Sequence, residues 1–168
     1  LFQRLLNEEE APFTSLSEPC GPMPESISDV GKSFIRGYEG LTLTAHYDKN
    51  GYAIGYGMHT WRGRKVTRTY PGIVTEDAVE AEFNRQLEQY VAFVKTKVCA
   101  PMTQPMLDSL VSVAWNLGRV NASILQKMDD NRPIVARDFL MTATVHRRPY
   151  PVLVTRRLRE YLLFSGDY

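Results

Sequence analysis

The sequence predicts an α+β fold: one helix, a small twisted antiparallel sheet, then a bundle of helices. Three observations carry this. Apolar residues recur at helical spacing before residue 39 and again from residue 75 onward. Between Leu41 and Thr69 that period disappears. The same stretch is punctuated by Gly51, Gly55, Gly57 and Gly63, which mark tight bends. A sheet-bearing lobe and a helical lobe are expected to enclose a groove.

Each element has a local reason. Residues 1–26 are rich in acid and proline, as in Glu8-Glu-Glu-Ala-Pro12 and Ser17-Glu-Pro-Cys-Gly-Pro-Met-Pro24. Proline neither continues a helix nor donates to a sheet. This segment therefore reads as an extended arm or linker, with Leu1 to Leu6 as the end of a preceding helix. Residues 27–168 read as the folded domain. Ser26 or Ser28 offers a helix cap, and Val30, Phe34, Ile35 and Tyr38 follow at helical spacing up to Glu39-Gly40. Asp48-Lys-Asn-Gly51 is a turn signal between two of the two or three short strands expected here.

Thr75 caps a long helix whose first turn carries Glu76, Asp77 and Glu80, suited to the positive helix start. Its apolar stripe is Val79, Phe83, Leu87, Tyr90, Val91, Val94 and Val98. Thr103-Gln-Pro105 opens the next helix, with Leu107, Leu110, Val111 and Ala114 inward and Asn116-Leu-Gly118 closing it. Ser123 to Met128 is a short helix. Asn131-Arg-Pro133 caps another through Met141. Pro149-Tyr-Pro151 punctuates before a last helix from Val152 to Phe164.

Bulk properties bound the function. The chain has 168 residues with 43% hydrophobic and 23% charged content, as in a globular domain with a sizeable core. Lys and Arg number 20 against 19 Asp and Glu, a balance that argues against a dedicated nucleic-acid binder. No apolar run approaches the roughly 20 residues that span a bilayer. The start shows neither an initiator Met nor a secretory signal, so the chain reads as part of a longer or processed polypeptide. His46, His59 and His146 are scattered and no Cys-x-x-Cys occurs, so no metal site is expected. Cys20 and Cys99 allow two readings: buried free thiols, or one disulfide that pins the arm to the body and requires an oxidising compartment.

The chemistry centres on Glu39 and Asp48. Glycoside hydrolysis requires one carboxylic acid to protonate the departing oxygen and a second carboxylate to assist water or act as nucleophile. Glu39, beside Tyr38 and apolar neighbours, is expected to be partly desolvated, which raises a carboxyl pKa. Asp48, in a polar turn, is expected to stay ionised.

The string Glu39-Gly-Leu, then Asp48, then Ala53-Ile-Gly-Tyr-Gly and His59-Thr60 resembles the signature of phage-type lysozymes, the muramidases of glycoside hydrolase family 24. Pro101-Met-Thr-Gln104, Leu107-Asp-Ser-Leu-Val111 and Ala114-Trp-Asn116-Leu-Gly118 resemble that family's central helix. Ser123-Ile-Leu resembles the short helix after it. Leu153-Val-Thr-Arg156-Arg157 through Glu160, then Leu163-Phe-Ser-Gly166, resembles its terminal helix. The resemblance spans residues 28–166.

It implies a lysozyme-like fold with Glu39 as acid and Asp48 as second carboxylate. It also implies cleavage of the β-1,4 bond between N-acetylmuramic acid and N-acetylglucosamine with inversion, and no metal or cofactor. The implied partner is bacterial peptidoglycan, met in the periplasm or cell wall. The protein would wait in the host cytoplasm before release, or be carried on a virion as part of a larger phage or spike polypeptide. A non-catalytic wall-binding or structural module, or a secreted antibacterial effector, is the alternative on the same fold.

The family usually places a Thr just before Ile-Gly-Tyr-Gly, where its hydroxyl helps hold the attacking water. Here that position is Ala53, or Ile54 if counted from Asp48. Thr60 or the Tyr52 hydroxyl is the expected substitute, and restoring the hydroxyl in Ala53→Thr is expected to raise turnover. The turn after Asp48 is one residue short and Met58 is inserted before His59. Asn116 is read either as a sugar contact or as a helix cap. His59 is read as support for the sheet lobe, and Trp115 as core. Arg62, Arg64, Lys65 and Arg68 read as a solvated loop or a docking surface for anionic wall polymers. One of Arg156 and Arg157 is expected to pair with a buried acid, Glu160 being the candidate.

Overall fold

The computed structural model describes residues 20–48, 51–145 and 148–168. The helix end expected over Leu1–Leu6, the acidic stretch at Glu8–Pro12 and the middle of the Asp48–Gly51 turn lie outside them.

The first helix, α1 (Asp29–Glu39), is capped by Ser28, whose hydroxyl accepts from the Gly31 amide at 3.2 Å. Gly40 ends it at φ 67°, a left-handed value that suits glycine. Phe34 and Ile35 are buried, but Val30 is exposed, so the expected stripe is narrower at its start. The reason lies in packing. A Cβ on Gly31 would lie 2.7 Å from Asp108, so α1 approaches its neighbour through Gly31 rather than Val30.

The strands between Leu41 and Thr69 form two hairpins rather than one sheet. Strands β1 (Thr42–Asp48) and β2 (Gly51–Gly55) pair antiparallel, with Asp48 opposite Gly51 and His46 opposite Ala53. Strands β3 (Thr60–Trp61) and β4 (Arg64–Lys65) pair separately. Gly55 at φ 63° and Gly57 at φ 75° double the chain back. Ile54 and Met58 then exchange backbone hydrogen bonds of 3.0 and 2.9 Å, which closes the first ladder before β3 begins.

Helix α2 (Glu76–Lys95) starts at Thr75, whose side chain accepts from the Ala78 amide. Its stripe is buried as expected, with Tyr90 half-exposed. Helix α3 (Gln104–Leu117) is buried on every side from Leu107 to Ala114, the pattern of a helix surrounded by others. It packs against α1, α2 and α6 (Pro151–Ser165). Helix α4 (Ala122–Asp129) is one residue longer at each end than expected. Helix α5 (Ala136–Leu140) begins later than expected, because Asp138 bonds back to the Val135 amide at 2.9 Å and starts the helix there. A short hairpin, β5 (Thr144–Val145) with β6 (Arg148–Pro149), stands where no strand was expected.

Residues 20–24 have no helix or strand, yet they are bound to the body. Cys20 is disulfide-bonded to Cys99 with Cα atoms 4.5 Å apart, which overturns the free-thiol reading. The Gly21 amide donates to the Cys99 carbonyl at 2.8 Å, and the Met102 amide donates to the Pro22 carbonyl at 3.0 Å. The bond joins residues separated by 79 positions. Closing a loop of that length in the unfolded chain is worth about 4 kcal/mol in the chain-entropy account. The double variant Cys20→Ser, Cys99→Ser is expected to lose about 2–4 kcal/mol in urea unfolding. A loss below ~0.5 kcal/mol would mean that the backbone bonds alone hold this segment.

Candidate active site

Glu39 is the last residue of α1 and is half-buried. Its Oε1 accepts from Arg156 Nη1 on α6 at 2.7 Å. The Arg156 guanidinium also lies over the Tyr38 ring, 4.9 Å from its centroid. The surroundings of Glu39 therefore include an ionic partner, Arg156, that the expectation of Tyr38 and apolar neighbours did not contain. A Cβ on Gly57 would lie 2.9 Å from Glu39 Oε2. The bend after β2 thus reaches this oxygen only because residue 57 has no side chain.

Behind Glu39 lies a buried charge cluster. Arg156 Nε donates to Glu160 Oε1 at 3.1 Å, and Arg157 Nη1 donates to Glu160 Oε2. Ser112 Oγ donates to Glu160 Oε1 at 2.7 Å, and Ser109 Oγ to the Glu160 carbonyl at 2.6 Å. Arg157 and Glu160 are both fully buried. Each Glu160 oxygen accepts from one of the two guanidinium groups, and it is this pairing that makes burying the cluster tolerable. Glu160 was legible as a partner from its helical spacing. The link from Arg156 to Glu39 spans 117 positions and carries no local signal.

A second brace fixes α1. Arg36 pairs with Glu80 on α2, and the Tyr56 hydroxyl donates to Glu80 at 2.7 Å. Burial pushes the Glu80 carboxyl up, but the hydrogen bonds from Arg36 and Tyr56 outweigh it and hold the group below its usual range.

Asp48 ends β1, half-exposed. His59 Nε2 lies 3.5 Å from Asp48 Oδ2, and its Nδ1 lies 3.1 Å from the Tyr52 carbonyl oxygen. The supporting role expected of His59 thus falls directly on the second carboxylate. Glu39 abuts Gly57 and Asp48 contacts His59, so both carboxylates converge on one three-residue segment.

The other expected residues separate. Tyr52 pairs with Tyr47 across the hairpin, their rings 5.4 Å apart and edge-on. Alternation puts Tyr52 on the opposite face of the hairpin from Ala53. Thr60 is exposed on β3 and lines a shallow groove with Gln86, Tyr90, Phe93 and Gly118. Asn116 does not cap its helix, which Gly118 ends at φ 67°. Its Oδ1 instead accepts from Arg157 Nη2. Trp115 packs edge-on to Phe83 and against Tyr90, at the margin of the core. Arg64 lies over the Tyr70 ring, 4.3 Å from its centroid.

The profile of the phage lysozyme family matches residues 36–160, most of the chain and all of this site. The chain belongs to the phage lysozyme family. This lysozyme is 28% identical over 149 residues to an endolysin of Acyrthosiphon pisum secondary endosymbiont phage 1, covering 83% of the chain and 98% of that protein. It is 29% identical to the endolysin of Bacillus phage PZA, but covers only 55% of that longer protein. Its fold superposes with TM-score 0.73 on the endolysin from Escherichia coli O157:H7 phage FAHEc1, at 25% identity, covering 89% of this chain and 98% of that one. This lysozyme is accordingly a glycoside hydrolase of the muramidase class, with peptidoglycan as substrate. Among its described residues no helix is long and apolar enough to cross a membrane.

Proposed function

We propose that this lysozyme cleaves the β-1,4 bond between N-acetylmuramic acid and N-acetylglucosamine with inversion, using Glu39 and Asp48. The supporting observation is the convergence of both carboxylates on the Gly57–His59 segment. Glu39 delivers a proton to the departing oxygen as the C–O bond breaks. Its Oε1 is held by Arg156, so Oε2, facing Gly57, is the oxygen that delivers it. Asp48, steadied by His59, takes a proton from the water that attacks the opposite face of the sugar. Asn116 and Thr60 are the substrate contacts in this reading. Asn116 offers its Nδ2 to a sugar while Oδ1 is held by Arg157. Thr60 opens the groove beside Tyr90 and Phe93.

Residues 27–168 form the catalytic unit and residues 1–26 an arm. The setting is phage attack on the bacterial wall, either from the host cytoplasm at release or from a larger virion polypeptide at entry. Ala53 favours a second reading, a wall-binding module that has lost its chemistry. Purified peptidoglycan and the wild-type chain separate the two: release of reducing sugars is expected, with the α-anomer appearing first by NMR. An initial β-anomer would replace inversion by retention. No release at all would favour the binding module.

A further inference from the structure

We propose that His46 holds the attacking water in this lysozyme, supplying the hydrogen bond that Ala53 does not. The inference rests on the reading of Asp48 as the base. His46 and Ala53 are direct partners across the β1–β2 hairpin, so their side chains leave the same face. Asp48, two residues further along β1, leaves that face as well. Ala53 is fully buried, whereas His46 is exposed. The missing hydroxyl thus has an imidazole as its cross-strand neighbour, on the side of the base.

The imidazole is also oriented. Thr42 Oγ1 donates its single proton to the Gly55 carbonyl at 3.3 Å. With that proton engaged by the carbonyl, the Thr42 oxygen, 3.3 Å from His46 Nδ1, accepts from the ring, an arrangement that selects the Nδ1–H tautomer. That leaves Nε2 as an acceptor. A water between Asp48 and His46 gives one hydrogen to each. Its lone pair attacks the anomeric carbon, its proton passes to Asp48, and the sugar–oxygen bond breaks toward Glu39. His46 accepts a hydrogen bond and takes no proton. The register irregularity between Thr42 and His46 is what brings the Thr42 hydroxyl back to the ring.

The test is steady-state hydrolysis of purified peptidoglycan by wild type, Glu39→Gln, His46→Ala, His46→Gln and His46→Ala with Ala53→Thr. His46→Ala is expected to lower kcat at least ~10-fold with KM changed less than about twofold, because the water is held in the reacting state. His46→Gln keeps an acceptor and is expected to lose less. Adding Ala53→Thr to His46→Ala is expected to restore several-fold, a larger gain than Ala53→Thr gives in the wild type. Imidazole nitrogen shifts are expected to report the Nδ1–H tautomer in the wild type and a mixture in Thr42→Val. Wild-type kcat in His46→Ala, with Glu39→Gln inactive, would overturn the proposal and leave the muramidase mechanism standing. So would a rise in KM alone, a dominant Nε2–H tautomer, or no rescue by Ala53→Thr in a folded protein. An inactive wild type would overturn both.

Discussion

Glu39→Gln is expected to reduce peptidoglycan turnover at least ~100-fold while leaving the protein folded. Glutamine keeps the size of the side chain and an oxygen for Arg156 Nη1, so the contact that seats residue 39 survives. What it loses is the transferable proton. The sugar–oxygen bond then has to break without protonation of the leaving group. The brace through Arg36, Glu80 and Tyr56 does not involve residue 39 and keeps α1 in place. Thermal unfolding should therefore shift little while kcat collapses, and KM should move far less than kcat. Near-normal kcat in this variant would remove Glu39 from the chemistry and assign the proton delivery to another group.

Glu160→Ala is expected to cost about 3–5 kcal/mol of stability, because it leaves two buried guanidinium groups short of a counter-charge. Arg156 still has Glu39, but Arg157 is fully buried and, among the described residues, is left with Asn116. The Ser112 hydroxyl also loses its acceptor. In a chain of this size the melting temperature should fall on the order of 10 °C. Glu160→Gln, which retains an acceptor but not the charge, should fall between the two proteins. Arg156 is the shared member of the cluster, so turnover should drop as well, through a looser Glu39. Urea unfolding followed by circular dichroism measures the stability term. A loss under ~1 kcal/mol would mean that the cluster is hydrated rather than buried.

The elements were legible where a local rule operates. Ser28, Thr75 and Gly118 each sit at a helix boundary that their own conformational preference marks. The stripe from Val79 to Val98 was readable because helical spacing puts those residues on one face. Val30 fits the same spacing and is nevertheless exposed, since a stripe says which residues share a face but not how far the neighbour reaches along it. The split into two hairpins was not readable, because it depends on Met58 folding back onto Ile54. The hairpin of β5 and β6 is too short for any period to appear.

At the site, the sequence by itself determined the inventory: an acid at the end of the first helix, a second acid before a glycine-rich turn, their order, and an alanine where a hydroxyl is usual. Only the tertiary structure decided who faces whom. It gave Glu39 an arginine 117 positions away, joined Cys20 to Cys99, set Tyr52 behind the hairpin and placed His46 across from Ala53. Helix caps and turns follow from preferences within a few residues, which a chain carries wherever it lies. Strand register and the packing of distant helices depend on the whole core closing at once, and a shift of one residue moves each strand side chain to the other face.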